Sequence, residues 1–214
     1  MSKLFGGSNR SVALTAVLSV MSAVLMALHA QAEGINYSDG QSHDFAAAPE
    51  GTHVDSIELS NGSKLVLTGG DLYVDQSKVS VIGSSAITVK SGARLLCPTA
   101  AANGSFKFYG NSKLIVDGGY VRAPASSAKN STCGAVNFAE EWTYWTPCYL
   151  EIRNGGTFEI DASSAGVASM FMARQSGILI DGNSTFKMTP NDVWGGVDRD
   201  YCFGTAPKLV ETRF

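Results

Sequence analysis

The chain has 214 residues, of which 23 are glycine and only 16% are charged, with 16 Lys and Arg against 19 Asp and Glu. That length suffices for one sizeable domain. A formal net charge of −3 without clustered Lys or Arg lacks the electrostatic footprint of a nucleic-acid binder, so no nucleic-acid partner is expected.

In chain order, Lys3 and Arg10 precede an uncharged stretch from Ser11 to Ala32, whose apolar core runs from Val12 to Leu28. It ends in the small-residue spacing Ala30-Gln31-Ala32. A basic start, an apolar middle and such an ending are the parts of a secretory signal peptide, predicting cleavage after Ala32. An uncleaved anchor is the alternative, but the core is at the short edge of the ~20 residues that span a bilayer. Removing residues 1–32 takes Lys3 and Arg10 away and leaves a net charge of −5. No further apolar run of spanning length follows, so the mature chain is expected to have no membrane span. Its address is then the cell surface, the extracellular medium or the periplasm.

Residues 33–53 read as a polar leader or N-terminal cap. Asp39, His43 and Asp44 gather there and imitate a metal site, but without a ligand geometry, so neither a metal nor a cofactor is expected.

From residue 54 a phrase recurs. "NGSKLVL", "SGARLLC", "GNSKLIV", "NGGTFEI" and "GNSTFKM" each open with Gly, Asn or Ser, which supply turn geometry at little steric cost. Each continues with apolar side chains at alternate positions, such as Leu65/Leu67, Leu114/Val116, Phe158/Ile160 and Phe186/Met188. Period two predicts strands with one buried face. Further short strands are predicted at Leu72/Val74, Val79/Val81, Ile87/Val89, Phe106/Phe108, Leu150/Ile152 and Ile178/Ile180. The stretch 163–174 fits helix and strand equally. Repeats roughly 20–30 residues apart mark a solenoid, in which each coil buries its apolar side by stacking on its neighbours. At ~22 residues per coil, residues 33–214 would make roughly eight coils. The expected fold is therefore all-β, a single-stranded parallel β-helix over 54–189, with its largest insertion at about 121–149.

These coils, above all "NGSKLVLTGGDLYVD", "GNSKLIVDGGYVRA" and "RNGGTFEIDAS", resemble the passenger domains of autotransporters and related exported bacterial β-helices. The resemblance covers roughly 54–189. It implies a surface or secreted adhesin-like protein that binds a glycan or a host or cell-surface protein. Passengers are followed by an outer-membrane β-barrel, which is expected downstream if residues 1–214 are part of a longer chain.

Four cysteines follow the leader: Cys97, Cys133, Cys148 and Cys202. In an exported chain they point to two disulfides. The favoured pairing is Cys133–Cys148, which would pin the insertion as a short loop. That loop holds "EEWTYWTPCYL", so Trp142, Tyr144, Trp145 and Tyr149 are the candidate ligand contacts; packing against the solenoid is the bland alternative. Residues 190–214 depart from the phrase and are expected to cap the stack or to begin a further coil.

No catalytic residues are expected. The alternative, a β-helical polysaccharide lyase or glycoside hydrolase, needs carboxylates converging from adjacent coils. Its candidates are Glu151, Arg153, Glu159 and Asp161, which alternate on what should be one flank. Acids that decorate an exposed strand face are the common case.

Overall fold

The structure, a computed structural model, describes residues 33–102, 104–127, 135–138, 146–162, 168, 170–172 and 176–189. Every strand pair it describes between named strands is parallel. The chain is a parallel β-helix of six coils among the described residues, each with three faces.

The first coil comprises β1 (Ile35–Tyr37), β2 (Ser42–Ala46) and the start of β3 (Thr52–Leu59). The end of β3 and most of β4 (Lys64–Val81) form the second. The end of β4, β5 (Ala86–Lys90) and β6 (Ala93–Leu96) form the third. The fourth is β7 (Phe106–Phe108), β8 (Lys113–Asp117) and β9 (Tyr120–Ala123). The fifth is β10 (Val136–Phe138), β11 (Tyr149–Arg153) and β12 (Thr157–Asp161). The sixth is β13 (Met170–Met172), β14 (Gly177–Ile180) and β15 (Thr185–Thr189). At ~4.8 Å between stacked strands, six coils rise about 25 Å.

Alternation places one side chain in two inside, and the register stacks like on like. On the first face Ile35, Ile57, Val79, Phe106, Val136 and Met170 lie above one another. The second face stacks His43, Leu65, Ile87, Leu114, Leu150 and Ile178. The third stacks Leu72, Leu95, Val121, Phe158 and Phe186. Leu65, Ile87, Leu114 and Leu150 are fully buried. The rings of Phe108 and Phe138 stack at 4.9 Å, and those of Phe158 and Phe186 at 5.7 Å. Burial of this kind, at ~25 cal/mol per Å² of apolar surface, is available to a coil only through its neighbours.

The repeated phrase builds the corners. The one between the second and third faces carries Gly69-Gly70, Gly92, Gly118-Gly119 and Asn154-Gly155-Gly156. A Cβ on Gly156 would lie 2.4 Å from the Val116 carbonyl oxygen, and one on Gly119 would lie 2.7 Å from that of Lys90. Only glycine lets the stacked corners approach so closely. The corner between the first and second faces uses buried hydroxyls instead. Ser63, Ser85, Ser112 and Ser176 are buried and each directly precedes a second-face strand or its rung. Ser63 Oγ accepts the Gly40 N–H at 2.9 Å, and Ser85 Oγ accepts that of Gly62 at 3.1 Å. Backbone donors that a sharp turn would orphan are thus satisfied one coil further on.

Three expectations change. The phrase occurs at two corners of a coil: Leu65 and Leu114 open second-face strands, whereas Leu95, Phe158 and Phe186 open third-face strands. Its uneven spacing follows from that mixture. The coil itself takes 22 residues at Leu65 to Ile87 and lengthens to 36 at Leu114 to Leu150, which is why six coils fill the described length. The first coil begins at Ile35 and takes up most of 33–53, the stretch read as a polar leader or N-terminal cap. The insertion at 121–149 is not one loop, because β10 returns inside it as a first-face rung. Within the ambiguous stretch 163–174, Met170–Met172 is a strand.

No disulfide is seen among the described residues, and Cys133 of the expected Cys133–Cys148 bridge lies outside them. Cys148 is a free, buried thiol occupying the serine rung between Ser112 and Ser176, donating its N–H to Ser176 Oγ at 3.1 Å. Cys97 is also free and buried. Cys133 and Cys202 lie outside the described residues, as do the leader 1–32 and the tail 190–214. Among the described residues no helix is long and apolar enough to cross a membrane.

Candidate functional site

The outward rungs of the third face form one polar ladder. In the sequence each member sits directly before an inward residue: Asp71 before Leu72, Arg94 before Leu95, Tyr120 before Val121. Register therefore lays Asp71, Arg94 and Tyr120 on successive coils. Arg94 donates to Asp71 Oδ2 at 3.1 Å, and its guanidinium lies 5.3 Å from the Tyr120 ring centre. Tyr120 donates its hydroxyl to Glu159 Oε2 at 2.6 Å, and Lys187 donates to Glu159 Oε1 at 2.7 Å. Beside this chain Arg122 bonds Asp161 at 2.9 Å. Nearer the N-terminus, His53 stacks on Tyr73 at 4.6 Å and bonds Asp75 at 2.8 Å. From Asp71 to Lys187 the ladder crosses five coils.

The electrostatics follow from these contacts. The Lys187 ammonium, then the Tyr120 hydroxyl, holds the Glu159 carboxyl below the usual glutamate range. Partial burial and the neighbouring Glu159 push the Tyr120 hydroxyl up to about 12. At neutral pH the ladder is thus fixed as carboxylate, neutral phenol and ammonium. A general acid needs a carboxyl that keeps its proton near the working pH, and Glu159 is shifted the opposite way.

The four candidates of the enzymatic alternative do not share a flank. Glu151 and Arg153 are outward on β11, on the second face, and Glu159 and Asp161 are outward on β12, on the third. The Asn154-Gly155-Gly156 corner divides them: odd-numbered residues stay outward on both sides of it, but the turn carries the chain from the second face onto the third. On the second face Lys113 donates to Glu151 at 2.8 Å, and Arg153 donates to Asp117 at 3.1 Å. The Asn154 amide, then Arg153, lowers the Asp117 carboxyl.

Of the aromatic candidates, Tyr149 is half-buried on β11, with the Lys113 ammonium 5.6 Å from its ring centre. Trp142, Tyr144 and Trp145 lie outside the described residues. His43 bonds Asp39 at 3.0 Å and stacks on Tyr37 at 3.7 Å, while Asp44 points outward on β2. His43 and then the Gln41 N–H lower Asp39 to about 2. Among the described residues no group of three or more His, Cys, Asp or Glu is placed to hold a metal ion.

Sequence reading missed Asp71, Arg94, Tyr120 and Lys187 as partners. The signal was present, since aligning the coils on Leu72, Leu95, Val121, Phe158 and Phe186 stacks Asp71, Arg94 and Tyr120 in one outward row and Arg122, Glu159 and Lys187 in the next, but the phrases had first to be sorted by corner. No family model, curated protein or solved structure matches this chain, so no relative carries a role across to these residues.

Proposed function

We propose that the protein is an exported, non-enzymatic β-helical surface or secreted protein of the adhesin or passenger kind, whose outer sheet contacts a glycan or protein partner. The observation that carries this reading is the third-face ladder from Asp71 through Arg94, Tyr120 and Glu159 to Lys187. It sets charged and aromatic groups at the ~4.8 Å strand spacing on a rigid parallel sheet, and each carboxylate in it is engaged by a cation or hydroxyl. Such pre-ordered aromatic and arginine side chains suit recognition, because little rotamer freedom is lost on contact. Carboxylates neutralised by fixed cations suit acid–base chemistry poorly. Export rests on the leader 1–32, and N-terminal sequencing of secreted material should begin at Glu33.

The binding test immobilises the secreted protein and measures capture of whole cells and of a glycan array. Arg94→Ala and Tyr120→Ala should each weaken capture while leaving the unfolding midpoint within a few degrees of the parent. Release of new reducing ends from a polysaccharide, abolished by Glu159→Gln, would overturn the reading in favour of the lyase or hydrolase.

A further inference from the structure

We infer that the corner between the first and second faces, at the N-terminal coils, is a binding groove for a neutral saccharide. A depression of about 240 Å³ runs across three coils there, lined by Asn36, Ser38, Glu58, Ser60, Ser80 and Ile82, with Tyr37 and Leu59 between the rows. Two stacked rows make its walls. Asn36, Glu58 and Ser80 are outward rungs in register. Ser38, Ser60 and Ile82 form the next row, in which the Ser60 N–H bonds the Tyr37 carbonyl and that of Ile82 bonds the Leu59 carbonyl.

The lining specifies the ligand. Amide, hydroxyl and carboxylate groups offer both donors and acceptors, as vicinal sugar hydroxyls require. Ile82 is 41% exposed, one of two large apolar side chains so open among the described residues, and gives the C–H face of a ring an apolar rest. Glu58 is 47% exposed and bonded to Lys78 at 2.5 Å, so the groove carries no excess charge of either sign. That balance favours a neutral sugar over a uronate. The space is smaller than the ~300–1,000 Å³ of sites that enclose a drug-sized ligand, and its scale is one sugar ring with its hydroxyls. The depression crosses coils, so a chain of rings would run along the stack, meeting an equivalent rung every ~4.8 Å.

The inference rests on the binding reading above and names the ligand class for a second, separate surface. The test titrates the protein expressed from the full chain with tetrasaccharides of glucose, N-acetylglucosamine, xylose and mannose, and with tetragalacturonate as the acidic control. At least one neutral tetrasaccharide should bind and tetragalacturonate should not. Ser80→Trp, which fills the groove, should abolish binding, and Glu58→Ala should weaken it about ten-fold. Arg94→Ala, on the other face, should leave it unchanged. Both groove positions are on the outer side of the sheet, so circular dichroism should match the parent.

No neutral tetrasaccharide binding, or binding that Ser80→Trp and Glu58→Ala leave intact, overturns the groove. A binding loss that follows Arg94→Ala instead moves the sugar to the third face. The cell-capture test of that face is read separately, so failure of the groove leaves the adhesive reading standing or falling on its own result.

Discussion

Leu114→Asp probes the stack at its centre. Leu114 is fully buried between Ile87 and Leu150, and its strand carries Ile115 on the outer side. Losing its burial costs about 1.5–3 kcal/mol, and an unpaired carboxylate in the same place adds several more. The sum is roughly 5 kcal/mol or more, a large part of the ~5–15 kcal/mol that holds a domain together. Because each coil leans only on its neighbours, the fourth coil should open first. Limited proteolysis should therefore cut near residues 106–123 before the rest is degraded. Protonation relieves the buried charge, so the defect should shrink in acid. Thr88→Asp is the control: Thr88 is the outward neighbour of buried Ile87 and the register partner of Ile115, and the change should stay within about 0.5 kcal/mol of the parent. Equal damage from both substitutions, or an unchanged digestion pattern for Leu114→Asp, would refute the inward assignment.

Other expectations follow from single contacts. Cys148→Ser should change the unfolding free energy by less than about 1 kcal/mol, since serine fills the same rung above and below; a loss of ~2–5 kcal/mol under oxidising conditions would instead reveal a structural disulfide. Gly156→Ala, which drives a Cβ onto the Val116 carbonyl, should cost about 1–3 kcal/mol, measured by urea unfolding. Tyr120 is raised to about 12, so its contribution is full below the ordinary value near 10 and is lost as pH rises through 12, whereas Glu159 is lowered and its contribution is lost as pH falls through and below its ordinary range. Tyr120→Phe should abolish the alkaline loss near pH 10–12 in a pH series of unfolding midpoints and raise the Glu159 titration seen by NMR.

The strands were legible because alternation survives in every coil: Leu65/Leu67, Leu114/Val116 and Phe158/Ile160 each mark their own inner side. Solenoid winding was legible from the recurrent turns. The count of coils was not, because two corners use near-identical wording and a listener hears one phrase where the fold uses two. First-coil strands escaped notice because His43 fills a slot that Leu65 and Ile87 fill below it, and polar neighbours mask the alternation. The Cys148 thiol reads as half of a disulfide until its register with Ser112 and Ser176 shows it standing in for a serine. For the candidate site, sequence placed acids and bases on outer positions but could not pair them. The pairs join residues 23 to 39 apart, at distances fixed only once loop lengths between coils are known.

The most direct measurement is a methyl–methyl NOE spectrum of protein labelled at Ile, Leu and Val. Winding in parallel predicts an unbroken walk from Leu65 to Ile87 to Leu114 to Leu150, residues far apart in sequence and adjacent only through stacking. Backbone NOEs pairing Lys113–Asp117 antiparallel with Tyr120–Ala123 across Gly118-Gly119, as a hairpin would give, with no contact from Ile87 to Leu114, would contradict it.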